Sequence, residues 1–145
     1  MQFKKLWAPP AALSFPLFFL RLVIGLAFMN YGYMKVTGGT AMWEAVGGAM
    51  EIIGISFGKV VWGLIGSWTE FGGGILLILG LAVRPVAAMQ CFMMILATIS
   101  HLKAGDALYV AAHPFELIGV TLLLVCTGAG KWSVDQLIAN KLNRS

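Results

Sequence analysis

Four apolar runs, each about as long as a lipid bilayer is thick, constrain this chain more than any other feature. They occupy about residues 13–35, 60–83, 85–102 and 107–128. A helix rising ~1.5 Å per residue needs roughly 20 apolar residues to cross a ~30 Å hydrocarbon core. Composition agrees: 59% of the 145 residues are hydrophobic and only 11% are charged, against about 25% charged in an average soluble domain. That much apolar surface excludes intrinsic disorder. The 18 glycines have no period and there are two cysteines, which excludes collagen-like and disulfide-scaffold chains. The predicted class is all-α: a transmembrane four-helix bundle in one domain over residues 1–145, with short amphipathic surface helices.

The boundaries follow from punctuation. The first run comes after Lys4-Lys5, but it contains Arg21, is long for a signal peptide and precedes no small-x-small cleavage site. It is expected to be a retained helix. After Gly38-Gly39, the residues Met42, Val46, Met50 and Ile53 recur at helical spacing with Glu44 and Glu51 on another side. This predicts an amphipathic interfacial helix over about 41–53. Arg84-Pro85 divides the second and third spans, with Pro85 expected at the first helical position. A fourth span begun at Pro114 would be too short, so an entry near Ala107 or a kink at Pro114 is expected. Ser133 and Gln136 have capping-box spacing, which predicts a second surface helix over about 134–143.

Four spans return the chain to the side on which it started. Lys4, Lys5, Arg84, Lys131, Lys141 and Arg144 fall on that side, whereas Lys35, Lys59 and Lys103 fall opposite, beside Glu44, Glu51 and Asp106. The positive-inside rule then puts both termini in the cytoplasm. The basic residues serve as topology signals; they form no nucleic-acid patch, although the net charge is +4.

Ionisable groups inside hydrocarbon are functional-site candidates by default. Setting boundary charges aside leaves Arg21, Glu70, His101 and Glu116, with Asn30 and Gln90. Helical spacing puts Arg21, Gly25, Phe28 and Gly32 on one stripe, and Gly63, Gly66, Glu70, Gly73 and Gly74 on another. Ala87, Gln90, Met94, Ala97 and His101 form a third stripe, and Glu116, Gly119 and Leu123 a fourth. Small residues beside the polar ones allow close helix approach. The stripes are therefore expected to face one another around a polar cavity in the outer half, with Arg21 reaching toward Glu70. Arg21 and Glu70 equally suit a buried ion pair that fixes helix register. His101 equally suits a water-facing helix end, and Glu116 a helix start favoured by the dipole. Glu70, His101 and Glu116, with His113 nearby, are ligand types, but no local motif supports a metal and none is expected. Cys91 and Cys126 form no Cys-x-x-Cys motif and read as ordinary small hydrophobes.

Several of these segments resemble the DoxX family of four-helix membrane proteins. Arg21-Leu-Val-Ile-Gly25 followed by Asn30-Tyr-Gly-Tyr-Met-Lys35 resembles the family's first helix. Glu70-Phe-Gly-Gly-Gly through Arg84 is similar to its Glu-x-x-Gly-Gly second helix and basic exit turn. Glu116 and Gly128-Ala-Gly-Lys-Trp-Ser-Val-Asp135 resemble its last helix and ending. Many members carry His where this chain has Tyr31; a tyrosine donates a hydrogen bond but is no base near neutral pH. The resemblance implies a bacterial cytoplasmic membrane and an association with membrane oxidoreductases, including the small subunit of thiosulfate:quinone oxidoreductases.

Two functional expectations follow. In the first, the chain is a redox-linked subunit with a quinone or other small molecule in its bundle and no covalently bound cofactor. Arg21, Asn30, Tyr31 and Tyr33 would bind the ligand, while Glu70, His101 and Glu116 would carry catalysis and protons. No haem, flavin or iron–sulfur motif is present in the sequence, so electrons would come from a partner protein or from the substrate. In the second, the chain is a non-catalytic accessory subunit that stabilises a larger membrane complex of redox proteins.

Overall fold

The computed structural model describes residues 13–143; Lys4, Lys5 and Arg144, used above for orientation, lie outside them. Four helices are long and apolar enough to cross a membrane: α1 (Ser14–Thr37), α3 (Lys59–Leu79), α4 (Val83–Ala104) and α5 (Leu108–Thr127). Two short helices accompany them, α2 (Gly39–Gly47) and α6 (Val134–Leu142). No strand occurs among the described residues, and the all-α four-span architecture is the one the hydropathy pattern demands.

The helices run alternately up and down. Arg21 near the start of α1 bonds the Leu77 carbonyl near the end of α3, while Gly32 lies against Glu70 and Phe71. Farther along, Gly66 of α3 faces Met93 of α4, and Gly73 faces Gln90. The Cys91 thiol of α4 lies 4.0 Å from the Ile118 carbonyl of α5. The core inside this ring is built by Leu17, Phe28, Leu77, Met94, Leu117 and Leu124. The described chain therefore starts and ends at one end of the bundle, and α2 lies at the other.

Glycine permits close backbone contact between α1 and α3. A Cβ on Gly25 would come 2.8 Å from the Gly74 carbonyl oxygen, and one on Gly74 would come 2.6 Å from that of Gly25. Backbone therefore packs on backbone where α1 meets α3, the geometry that small residues permit in membranes.

The segment expected as an interfacial helix is an α-helix for its first half and a 3₁₀ helix over Gly48–Ile53. It folds back along the first turns of α3. A Cβ on Gly47 would collide with the Lys59 carbonyl, and one on Gly63 with the Trp43 carbonyl. The Trp43 indole also donates to the Lys35 carbonyl at 3.0 Å. Outside this crossing, Lys59 pairs with Glu51 at 2.6 Å on the exposed edge.

The turn between α3 and α4 is built from afar. Ala82 adopts left-handed backbone angles (φ 51°), which an L-residue adopts only under constraint. The Asp135 carboxylate supplies it, accepting from the Ala82 N–H at 2.7 Å and the Val83 N–H at 3.1 Å. Asp135 thus caps α4 from α6. Helix α4 starts two residues earlier than expected, at Val83, and Pro85 lies in its first turn, where no N–H is needed. Helix α5 starts at Leu108 and contains Pro114, as the short-span argument requires. The Ser133 hydroxyl caps α6 by accepting from the Gln136 N–H at 3.2 Å.

Candidate functional site

Glu70 is the deepest charge on α3. It is 2% exposed, and both of its oxygens accept from Lys35 Nζ at 2.6 Å. The pair exists because α1 and α3 touch at Gly32. A Cβ there would come 2.7 Å from Phe71 Cα and 2.9 Å from the Glu70 carbonyl carbon. One turn beyond that contact, Lys35 bends its long stem inward, with its side chain 29% exposed.

This ion pair forms part of the wall of a cavity of about 410 Å³ at the end of the bundle where α1 finishes. All four spanning helices contribute: Phe28, Tyr31 and Lys35 from α1, Glu70 from α3, Met94, Ala97 and His101 from α4, and Tyr109, Val110, His113, Pro114 and Leu117 from α5. Apolar side chains and a few ionisable or hydroxyl groups share its walls, the usual composition of a small-molecule site. Tyr31 and His113 close one side with ring centroids 5.0 Å apart. His101 Nδ1 lies 2.7 Å from Asp106 Oδ2, and both side chains are partly exposed, so the cavity wall at His101 reaches the protein surface. Pro114 lacks an N–H, which leaves the Val110 carbonyl without its helical donor; both residues line the cavity. The site therefore offers an ammonium, two imidazoles and two phenols as donors, and a buried carboxylate. No group of three His, Cys, Asp or Glu side chains converges as a metal set among the described residues. Two further cavities, about 650 and 410 Å³, are lined mainly by α3 and α4 and contain no ionisable side chain. The larger of them is greater in volume but offers no chemistry.

Three of the residues singled out in the sequence meet here: Tyr31, Glu70 and His101. The other four do not. Arg21 is fully buried but faces the opposite end, donating to the Leu77 carbonyl at 3.0 Å and the Trp132 carbonyl at 2.5 Å. The expected reach of Arg21 toward Glu70 is thus corrected: Arg21 ties α1 to the tail, and Lys35 partners Glu70. Glu116, with Gly119 and Leu123, lies on the exposed face of α5. The stripe expected to face inward is the outward one; Ala111, Pro114, Leu117, Thr121 and Leu124 are buried instead. Asn30 and Tyr33 are exposed on α1, with Tyr33 against Phe71. Gln90 is buried and donates weakly to the Thr69 carbonyl at 3.5 Å, a packing role. Lys35 escaped notice because it reads as a boundary charge, and Tyr109 because it reads as an interfacial anchor. For His113 the signal was present: it lies one residue before a proline inside an apolar helix.

The DoxX family model matches residues 16–103, well over half of the chain. The chain belongs to the DoxX family. No curated protein and no solved structure matched it. The DoxX match covers α1 to α4 and carries Tyr31, Lys35, Glu70 and His101. Helix α5 lies beyond the match, so the DoxX cavity is completed here by Tyr109 and His113 on structural grounds alone.

Proposed function

We propose that this cavity binds a quinone, or a similarly small apolar molecule with oxygen acceptors, and that the protein is a redox-linked membrane subunit. The observation that carries the reading is the Lys35–Glu70 pair, 2% exposed on its carboxylate side, on the wall of a cavity lined by all four spans. An ionised group is retained at such depth against a desolvation cost of several kcal/mol. A quinone supplies two-electron, two-proton chemistry when bound. Tyr31, His113 and Lys35 are placed to donate hydrogen bonds to its oxygens. Glu70 takes or gives a proton inside the cavity, and His101 with Asp106 passes it to the aqueous edge. Electrons come from a partner redox protein. By the balance of basic residues, the tail end faces the cytoplasm of a bacterial cell and the cavity lies in the outer half of the membrane.

The test is extraction and mass spectrometry of lipophilic small molecules from protein purified gently from its native membrane. The wild-type chain should carry close to one quinone per cavity, while Glu70→Gln and His101→Ala lose most of it and remain folded. Equal quinone content in all three, or none in the wild type, would sink the proposal.

A further inference from the structure

Two polar side chains of the spanning helices face away from their own chain. Glu116 is exposed on α5 and Asn30 is exposed on α1. Neither has a hydrogen-bond or ion-pair partner among the described residues. In a membrane, both positions face hydrocarbon, where a carboxylate is strongly disfavoured unless something covers it. They also lie at nearly the same depth. Asn30 is seven residues inside the end of α1 at Thr37, and Glu116 eight inside the start of α5 at Leu108. At ~1.5 Å per residue these are about 10 and 12 Å. The Tyr31 and His113 rings, 5.0 Å between centroids, bridge α1 to α5 one residue from Asn30 and three from Glu116.

Gly119 is a separate observation. Gly25, Gly32, Gly63, Gly66, Gly73 and Gly74 would each collide with the chain if given a Cβ, whereas a Cβ on Gly119 meets nothing within 4 Å. Packing inside the chain therefore gives no reason for glycine there. It flattens α5 one turn from Glu116, as a close helix contact with a neighbour requires.

We propose that the α1–α5 side is a homodimer interface in which the Asn30 amide donates to the partner's Glu116 across the flat surface at Gly119. The second copy is favoured because this chain carries both halves of the pair. Copies inserted in the same orientation bring residues of equal depth together. A two-fold axis along the membrane normal sets α1 of each copy against α5 of the other, so two identical pairs form and no polar group is left over. A partner of another kind would cover Glu116 only with a donor of its own and would leave Asn30 unmatched.

The full chain, reconstituted in liposomes over a dilution series, tests this by single-molecule photobleaching. The wild type should be a dimer. Glu116→Leu, Asn30→Leu and Gly119→Leu should each weaken dimerisation by about tenfold or more, while Glu116→Gln, which can still bond an amide, should retain most of it. Helical content should be unchanged in Gly119→Leu, because its side chain enters open space within its own chain. A monomeric wild type, or a dimer indifferent to Glu116→Leu and Gly119→Leu, would each overturn the proposal.

Discussion

Replacing Lys35 with methionine isolates what the buried ion pair contributes. Methionine keeps most of the stem and removes the ammonium, leaving Glu70 with 2% exposure and without the cation that bonds both of its oxygens. Removing one member of a buried pair costs about 3–5 kcal/mol, because a desolvated charge is left uncompensated. Here the lysine side chain is 29% exposed, so water reaches the pair from that end. A loss below that range, about 2–3 kcal/mol, is expected. Glu70→Gln should cost less, because the lysine it frees can turn toward water. In the double variant Lys35→Met, Glu70→Gln no buried charge remains, and most of the loss should return, giving a coupling energy of about 1–3 kcal/mol. Reversible unfolding in mixed micelles, titrated with a denaturing detergent, measures all four corners of the cycle. If Lys35→Met unfolds within about 0.5 kcal/mol of the wild type, or the two changes simply add, the pair is not the buried contact argued for above.

Other consequences are equally direct. Gly63→Ala drives a methyl group into the Trp43 carbonyl. The crossing of α2 on α3 should open, with a stability loss of about 1–3 kcal/mol; an unshifted unfolding midpoint would contradict it. Arg21→Met removes the bond to the Trp132 carbonyl, so protease should cleave the α6 tail about tenfold faster, and an unchanged digestion rate would show the tie to be dispensable. Asp135→Ala deletes the distant cap of α4 and should cost about 1 kcal/mol in the same unfolding assay. Cys126 is exposed and Cys91 half-buried, so a small membrane-permeant maleimide should label Cys126 first; equal rates would place α5 differently.

How far the sequence leads depends on the helix. In α1 and α3 the inward stripe was legible, because glycine and a lone charge recur on one side among larger residues: Arg21, Gly25, Phe28 and Gly32 are all buried, as are Gly63, Gly66, Glu70, Gly73 and Gly74. In α5 nearly every position is apolar, so period carries no information. The one charge, Glu116, then drew the stripe onto the face that the fold turns outward.

By itself, then, the sequence determined the number, approximate limits and alternation of the spans, since hydrocarbon thickness and punctuation at Gly38-Gly39 and Arg84-Pro85 leave little choice. It also determined that Glu70 is buried. What only the tertiary structure decided is which charge meets which. Lys35 reaches Glu70 because Gly32 lets two backbones touch and a lysine stem can bend inward. Arg21 instead serves a carbonyl 111 residues away, and Asp135 caps a helix that begins 52 residues before it. Long side chains and distant carbonyls find each other through the packing of whole helices, and no local pattern of residues encodes that distance.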